Sequence, residues 1–434
     1  MNSSALMTDR YELTMIDAAM QAGTAFRPSV FEAFGRRLSG GRRYGVVAGT
    51  GRLLDRIEQF SFTDAQLKFL REGNVVSPEA LDYLADYKFT GRIRGYAEGE
   101  PYFPGSPLLT VEGTFAECVV LETVILSILN YDSAVATAAS RMVTAAGTRP
   151  VAEMGSRRTG EESAVAAARA AYIAGFTNTS NLEAGIRWGI PTMGTAAHSF
   201  TLLHDSEEDA FRAQIDALGV GTTLLVDTYD TARGVDLAVK VAGTELGGVR
   251  LDSGDLPIMA ARTREQLDAL GAKNTLITVT SDLDEHAIAG LAASPVDAYG
   301  VGTSVVTGSG TPASGMVYKL VAREGDEGWK SVAKASENKA SHGGEKLAVR
   351  TLEDGVAVEE TIFMGDPTKD DAADASRGRG LQVDLVRGGA IADEYRGAAG
   401  VAKAREHRKN AVAELPIVAH RLRPGDPAIP TVFR

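Results

Sequence analysis

Apolar and polar positions in the stretch 151–199 change period repeatedly, from short apolar runs to helical spacing and back. The run 151–154 predicts a strand. Thr159 and Glu162 then have the T-x-x-E spacing of a capping box at the start of an alanine-rich helix. Residues 176–179, which follow Gly175, predict another short strand. The stretch therefore begins with a strand-helix-strand pattern.

The pattern continues beyond residue 180. Ser180 and Glu183 repeat the capping-box spacing for a helix that ends near Gly189, and 190–197 predicts a third strand. This reading places several polar side chains at or just after the carboxyl ends of strands: Arg157, Asn178, Ser180 and His198. In a parallel α/β barrel, catalytic groups collect at that rim.

The same alternation extends to about residue 301, with one unit every twenty to thirty residues. The strands predicted there are 222–227, 248–251, 276–280 and 298–301, and the helices are 231–241, 256–270 and 285–292. Regular strand-helix repeats are typical of a parallel sheet. We therefore predict an α/β fold with an irregular, TIM-like α/β barrel.

The flanking segments have different patterns. Tyr11 lies in the first turn of a predicted amino-terminal helix, and 119–129 predicts an apolar core helix too short to span a bilayer. Charged, antiparallel-looking segments and a basic helix at 399–413 follow the barrel. The predicted organisation has three parts: an amino-terminal α/β domain (1–134), the barrel (135–318) and a carboxyl-terminal segment (319–434) that packs back on the first domain.

Composition narrows the functional classes. A net charge of −12 over 434 residues argues against nucleic acid or an anionic membrane as the main partner. Cys118 is the only cysteine, which excludes an intramolecular disulfide and a cysteine-rich zinc site. The first twenty residues contain no long apolar run, so we expect no signal peptide or membrane span and a cytoplasmic location.

Two charged residues stand on the predicted strand 248–251 and its end. Arg250 and Asp252 alternate and so face the same side, as a structural ion pair or as part of a site. The sequence D-S-G-D at 252–255 favours a site, because paired carboxylates on a glycine-containing turn suit a ribose diol or Mg²⁺.

Each of the other candidate site residues has both a functional and a structural interpretation. A small-residue loop that could bind phosphate or be a structural turn is formed by Gly300, Gly302, Thr303 and Ser304. His198 could be a buried, hydrogen-bonded histidine or a nucleophile. Arg157 or Arg158 could bind a carboxylate or form a surface salt bridge. The paired arginines near the amino terminus fit a solvated loop or a phosphate contact: Arg36, Arg37, Arg42 and Arg43.

Together these patterns resemble the nicotinate phosphoribosyltransferase family over essentially the whole chain. The segments that carry the resemblance, each at its first residue, are TDRYELTM at Thr8, EMGSRR at Glu153, AARAAYIAGFTNTSN at Ala167, GIPTMGTAAHS at Gly189, GVRLDSGDL at Gly248, DAYGVGTSV at Asp297, YKLV at Tyr318 and ENKASHGGEK at Glu337. Their order and spacing are highly specific. Met154 departs from the family, which usually has phenylalanine there.

The resemblance implies transfer of phosphoribosyl from phosphoribosyl pyrophosphate (PRPP) to nicotinate, with Mg²⁺ and with ATP as co-substrate, in a homodimer whose subunits share the active site. It implies the following roles: nicotinate binding by Tyr11, Arg157 and Ser180; orientation of the ribose and pyrophosphate by Arg250 and Asp252; phosphate binding by Gly302, Thr303, Lys339 and a further candidate, Lys346; and phosphorylation of His198 by ATP.

Two other functions are compatible with the same fold. The nicotinamide-using relative carries an aspartate where this chain has Ser180, and a carboxylate there would repel nicotinate. Ser180 therefore favours the acid as substrate. A non-catalytic nucleotide-sensing protein of the same fold is disfavoured because Arg157, His198, Arg250 and Asp252 are all present.

Overall fold

The computed structural model describes residues 3–333, 342–365 and 378–434. Its α-helices are α1 (Arg10–Gln21), α2 (Thr50–Glu58), α3 (Asp64–Glu72), α4 (Pro78–Ala85), α5 (Phe115–Val119), α6 (Glu122–Ala146), α7 (Glu161–Ile173), α8 (Leu182–Trp188), α9 (His198–Leu203), α10 (Glu207–Leu218), α11 (Thr231–Ala242), α12 (Leu256–Ala269), α13 (Glu285–Gly290), α14 (Thr303–Val306) and α15 (Gly397–Ala413). Short 3₁₀ turns lie at Ser39–Gly41, Ser156–Arg158, Asp393–Tyr395 and Ile417–His420.

The strands are β1 (Pro28–Gly35), β2 (Gly45–Val46), β3 (Arg92–Tyr96), β4 (Pro101–Tyr102), β5 (Leu109–Thr114), β6 (Val151–Glu153), β7 (Asn178–Thr179), β8 (Thr223–Leu225), β9 (Gly248–Leu251), β10 (Leu276–Val279), β11 (Ala298–Val301), β12 (Met316–Gly325), β13 (Gly328–Ser331), β14 (Lys346–Glu353), β15 (Val356–Met364), β16 (Gly378–Gly380), β17 (Gln382–Arg387), β18 (Ala390–Ile391) and β19 (Thr431–Phe433). The chain divides into a first unit, 1–137 with 311–434, and a second unit, 138–310. The sequence placed the corresponding boundaries at 134 and 318.

The first unit is built on a seven-stranded sheet in the order β13-β12-β1-β5-β3-β17-β18. Three amino-terminal strands, β1, β5 and β3, form its centre, and two carboxyl-terminal strands flank them on each side. β1 pairs antiparallel with both β12 and β5. Phe31 of β1 stacks on Tyr318 of β12 with ring centroids 5.0 Å apart, and both side chains are buried. This stacking joins the amino-terminal and carboxyl-terminal segments in one apolar core.

A second sheet of the first unit, β16-β14-β15-β19, carries buried charges. Arg350 of β14 is fully buried and contacts Glu360 and Glu100, which also accepts hydrogen bonds from Arg379 and His407. Burial alone would raise the pKa of the Glu100 carboxyl, but these partners hold it at about 2. A carboxylate with this many donors is stable in the interior only because each charge has a partner.

The apolar helix predicted at 119–129 is longer than the sequence suggested. It is α6, a 25-residue helix, because the polar residues that end the apolar run are satisfied inside the protein. Asp132 pairs with Arg52 at 2.6 Å, and the Ser133 hydroxyl accepts from the amide of Ala48. By length and composition the stretch Phe115–Ala146 could cross a membrane, yet 67% of its apolar window is buried inside the protein, as in a core helix.

The second unit contains a six-stranded parallel sheet in the order β7-β6-β11-β10-β9-β8. Helices α7, α11, α12 and α13 each follow a strand of this sheet, as the alternating pattern predicted. The predicted α/β class is confirmed, and the barrel takes the form of an open, half-barrel sheet. All six carboxyl ends point to one edge because the strands are parallel.

The predicted strand at 190–197 is wrong. Thr192 forms a single bridge with Thr179, and the chain then leaves the sheet. Thr179 is the last residue of β7 and Asn181 already caps α8, so no strand residue remains to pair with 193–197. The Pro191 carbonyl accepts from the Thr179 amide at 3.0 Å. His198 therefore begins helix α9 and does not directly follow a strand.

Candidate active site

A cleft of about 240 Å³ lies at the carboxyl ends of β6, β9, β10 and β11 in the second unit. The residues that line it are Met154, Arg157, Arg158, Arg250, Asp252, Thr280, Ser281, Asp282, Gly300, Gly302 and Thr303. The structure thus brings to one cleft seven residues singled out as candidates from the sequence: Arg157, Arg158, Arg250, Asp252, Gly300, Gly302 and Thr303.

Arg250 projects from β9 and is partly buried. Its Nη1 donates to the Thr195 hydroxyl at 2.6 Å, and its Nε has no hydrogen-bond partner among the described residues. Burial lowers the pKa of this guanidinium, while the nearby carboxylates of Asp252 and Asp227 oppose the shift. A cation with free donors at the wall of a cleft suits an anionic ligand.

Asp252 follows Arg250 at the end of β9, and hydrogen bonds fix its position. Its Oδ1 accepts from the Thr280 hydroxyl, and its backbone amide donates to Oδ2 of Asp227 at 2.7 Å. Its other oxygen lies 3.7 Å from Nε2 of His198. One carboxylate oxygen is therefore held by the sheet, and the other faces the histidine.

His198 stands in the first turn of α9. Its Nδ1 lies 3.1 Å from the hydroxyl oxygen of Thr228, and its side chain is 40% exposed. This exposure disfavours the reading of a buried structural histidine. The ring is held on both sides, by a hydroxyl at Nδ1 and a carboxylate near Nε2, and remains open to solvent.

Arg157 lies in the 3₁₀ turn Ser156–Arg158 that follows β6, and its side chain is exposed. Ser180 is also exposed and directly follows β7, the neighbouring strand. The predicted capping role of Ser180 is wrong, because the side chain of Asn181 accepts from Ala184 N and caps α8. Ser180 thus keeps its hydroxyl free of the cap.

The other predicted capping box, with Thr159, is also absent. Helix α7 starts at Glu161 and has Gly160 as its N-cap, without a side-chain cap. The carbonyl of Gly160 accepts from the Ala164 amide at 2.8 Å, so the helix begins one residue later than a Thr159 cap requires.

Glycine is required where β11 meets the cleft. A Cβ on Gly300 would lie 2.7 Å from Met154 Sδ and 2.7 Å from Thr280 Cγ2. Met154 therefore packs over this backbone and forms an apolar part of the cleft wall, where the family usually has phenylalanine. Gly302 and the exposed Thr303 follow, at the start of the four-residue helix α14.

The sequence placed Ser281 and Asp282 at a strand end but gave them no role. Both line the cleft with Thr280. Ser281 has φ of +100°, which is costly for a residue with a side chain. Strain of this kind concentrates at functional sites, and position at the end of β10 was the signal that could have identified these residues.

Tyr11 belongs to the first unit, in the first turn of α1, with 45% of its surface exposed. Burial of its hydroxyl, with Glu122 and Glu12 nearby, raises its pKa to about 12. Lys339 lies outside the described residues. The suggestion that Lys346 binds a phosphate is wrong, because it is buried and ion-paired with Glu32 at 2.8 Å.

The paired arginines of the first unit do not form one uniform solvated loop. Arg42 is only 7% exposed, and Nη1 of Arg43 donates to the carbonyl of Asp426 at 3.3 Å. The guanidinium carbon of Arg36 lies 5.9 Å from the ring centroid of Phe34. These arginines therefore have structural contacts of their own.

Comparison with known proteins identifies the family of this chain. Residues 6–130 match the model of the nicotinate phosphoribosyltransferase N-terminal domain. The nicotinate phosphoribosyltransferase pncB1 of Mycobacterium tuberculosis is 53% identical over 98% of this chain and 94% of its own length. The Bacillus subtilis nicotinate phosphoribosyltransferase is 37% identical over 81% of this chain and 74% of its own length.

A solved structure agrees with these relatives. The crystal structure of human nicotinic acid phosphoribosyltransferase has a TM-score of 0.82 and 27% sequence identity, and it covers 98% of this chain and 97% of its own. The family model, the two bacterial relatives and this structure all agree. The chain belongs to the nicotinate phosphoribosyltransferase family.

Proposed function

We propose that this chain transfers the phosphoribosyl group of PRPP to the ring nitrogen of nicotinate, forming nicotinate mononucleotide and pyrophosphate for NAD salvage. The observation that carries the proposal is the composition of the cleft. The exposed Arg157 follows β6, and the partly buried Arg250 lies at the end of β9. Carboxylates follow β9 and β10, and the glycine loop follows β11. These groups match a carboxylate, a charged phosphate and a ribose diol, in one cleft.

Nicotinate recognition is assigned to the edge of the cleft near β6. The guanidinium of Arg157 binds the pyridine carboxylate through paired hydrogen bonds, and the Ser180 hydroxyl donates to it. Met154 supplies apolar contact for the ring in place of an aromatic side chain. The aromatic surface of Tyr11 comes from the second subunit of a homodimer, and its exposure in the first unit is compatible with that role.

PRPP is assigned to the other strand ends. Backbone N–H groups at Gly302 and Thr303 bind the 5′-phosphate, Arg250 faces the pyrophosphate, and the carboxylates of Asp252 and Asp282 accept from the ribose hydroxyls. Lys339, from the carboxyl-terminal segment, is assigned to the charged phosphates on the strength of the family resemblance.

The cleft also fits Mg²⁺. The described residues contain no cluster of three or more metal-binding side chains, but Mg²⁺ usually takes one or two carboxylates and completes its shell with water and phosphate oxygens. Asp252 and Asp282 would hold it, and the ion supplies charge neutralisation of pyrophosphate when bound.

The chemistry requires alignment more than acid or base catalysis. The pyridine nitrogen is already nucleophilic, so Arg157 and Ser180 contribute by holding it in line with the ribose carbon that loses pyrophosphate. Asp252 and Asp282 stabilise positive charge that develops on the ribose, and Arg250 stabilises negative charge on the leaving group.

ATP is assigned to His198. A phosphoryl group passes from ATP to the imidazole, ADP leaves, and water later hydrolyses the phosphohistidine to phosphate. The placement of the ring between Thr228 and Asp252 supports this role, because these two residues orient the imidazole while 40% of the side chain stays exposed to a phosphoryl donor. Hydrolysis of phosphohistidine adds a favourable step to a transfer that is close to reversible.

The nicotinamide-using reaction is the second candidate, since the fold alone does not separate the two substrates. Ser180 favours nicotinate because it places no negative charge beside the substrate carboxylate.

Replacement of Arg157 by Gln tests the assignment. Loss of a charge-assisted pair should raise KM for nicotinate by roughly tenfold to a hundredfold, with little change in KM for PRPP. Arg187→Gln is the matched control, because Arg187 is paired with Glu162 and Glu183 on the surface. Equal effects of the two replacements would contradict the role given to Arg157.

A further inference from the structure

One buried carboxylate of the second unit has no part in the chemistry above. Glu153 is the last residue of β6 and is fully buried. Its Oε1 accepts from the backbone N–H of Gly155, and its Oε2 accepts from the hydroxyl of Thr179 at 2.5 Å. Burial raises the pKa of this carboxyl, and the two hydrogen bonds oppose the shift. Both of these partners lie beside residues of the nicotinate subsite.

The hydrogen bonds around Glu153 form a closed ring between two strand ends. The Ser180 amide donates to the carbonyl of Glu153 at 2.9 Å, and the Asn181 amide donates to the Thr179 hydroxyl oxygen at 3.0 Å. The Asn181 side-chain amide then reaches back to the Ser156 hydroxyl at 3.0 Å. The ring thus connects the turn that carries Arg157 with the strand end that carries Ser180.

The turn after β6 packs closely against the start of α14. A Cβ on Gly155 would lie 2.8 Å from the carbonyl oxygen of Gly302 and 2.3 Å from Val306. Gly155 is therefore packed directly against the loop assigned to phosphate. Since one face of the turn is fixed by this contact, the carboxylate of Glu153 decides how its other face meets β7.

We propose that Glu153 is a positioning residue that sets the spacing of Arg157 and Ser180, and through it the recognition of a pyridine carboxylate, without touching the substrate. This inference rests on the proposed function of the cleft. Its physical basis is that a carboxylate can accept from both donors at once, so one side chain fixes both strand ends.

Thr179→Val is the direct test, because it keeps the side-chain shape and removes the hydroxyl that links β7 to Glu153. KM for nicotinate should rise about tenfold, while KM for PRPP changes less than about twofold. Thr179→Ser should restore the wild-type value. Thr177→Val is the matched control: its hydroxyl also joins the same two strands, through the Val151 carbonyl at 3.2 Å, but does not contact Glu153.

A parallel rise in both KM values, or equal effects of the Thr179 and Thr177 replacements, would overturn the inference. If Thr179→Val does not fold, Glu153→Gln serves in its place, since an amide can accept from only one of the two donors. An unchanged KM for nicotinate in that variant would also overturn it. If the wild-type protein binds nicotinate without turnover, the proposed function is refuted instead. Dissociation constants for nicotinate, measured by calorimetry on the wild type and the same variants, would then decide the role of Glu153.

Discussion

Glu12 provides a pH-dependence test of the first unit. It lies in α1 next to Tyr11 and is fully buried. Its carboxylate accepts from the amide (2.9 Å) and the hydroxyl of Thr123, at the start of α6, and from the hydroxyl of Thr8, which precedes α1. Burial raises the pKa of Glu12 to about 7 from an ordinary value of 4.5, and the hydrogen bonds reduce but do not cancel this shift.

The sign follows from proton binding. Between about pH 4.5 and 7 the folded state binds a proton at Glu12 that the unfolded state has released, so the free energy of unfolding falls as pH rises. The shift in pKa corresponds to a loss of roughly 3 kcal/mol in the free energy of unfolding, and this loss is complete above about pH 7. Replacing Glu12 with glutamine removes the titration, so the stability of the variant relative to wild type should rise by about this amount between pH 4.5 and 7.5.

Urea unfolding of both proteins at several pH values measures this difference directly. Asp82→Asn is the control, because it makes the same change from carboxyl to amide at an exposed position on α4 of the same unit. If the difference in unfolding free energy between wild type and the Glu12→Gln variant stays constant within about 1 kcal/mol across this range, the reasoning is refuted.

Three further predictions concern the second unit. Gly300→Ala should destabilise the protein by about 1–3 kcal/mol in chemical denaturation, because the added Cβ would overlap Met154 and Thr280. Gly302→Ala is the control and should have a smaller effect, because the nearest atom to its Cβ would be 3.4 Å away. His198→Ala should abolish ATP hydrolysis while leaving slow, ATP-independent transfer, and a variant with normal coupling of ADP release to product formation would contradict the phosphohistidine. Ser180→Asp should lower the ratio of nicotinate to nicotinamide turnover, and an unchanged ratio would show that selectivity lies elsewhere.

The strand-helix alternation of the second unit could be predicted because it depends on local periodicity. The strand at 248–251 and the helix beginning at Thr231 have the bounds that the sequence indicated, within one residue. Gly189 ends α8 with φ of +65°, as a glycine after a helix predicts. Each of these features is determined by residues within one turn or one strand.

Features that depend on distant contacts were missed. The stretch 190–197 has strand-like composition, but Thr179, the bridge partner of Thr192, is the last residue of β7, so the pairing stops there. The length of α6 depends on Arg52, eighty residues before its partner Asp132. The end of the pairing at 190–197 and the length of α6 can be predicted only when the segments that become neighbours in the fold are known.

The site shows the same division. Arg157, Arg250 and Asp252 could be singled out because charged residues at predicted strand ends are informative without the structure. Glu153 could not be distinguished from an ordinary strand residue, since its role depends on Thr179, 26 residues away. The family resemblance also suggested Lys346 as a further phosphate ligand, whereas burial beside Glu32 gives it a structural role.

The measurement that tests the central claim most directly is mononucleotide formation by the purified protein with PRPP and Mg²⁺, with nicotinate or nicotinamide, each with and without ATP. We expect product from nicotinate, in an amount that ATP increases, together with release of ADP. Product from nicotinamide in preference to nicotinate would contradict the role of Ser180, and no product from either would contradict the proposed function.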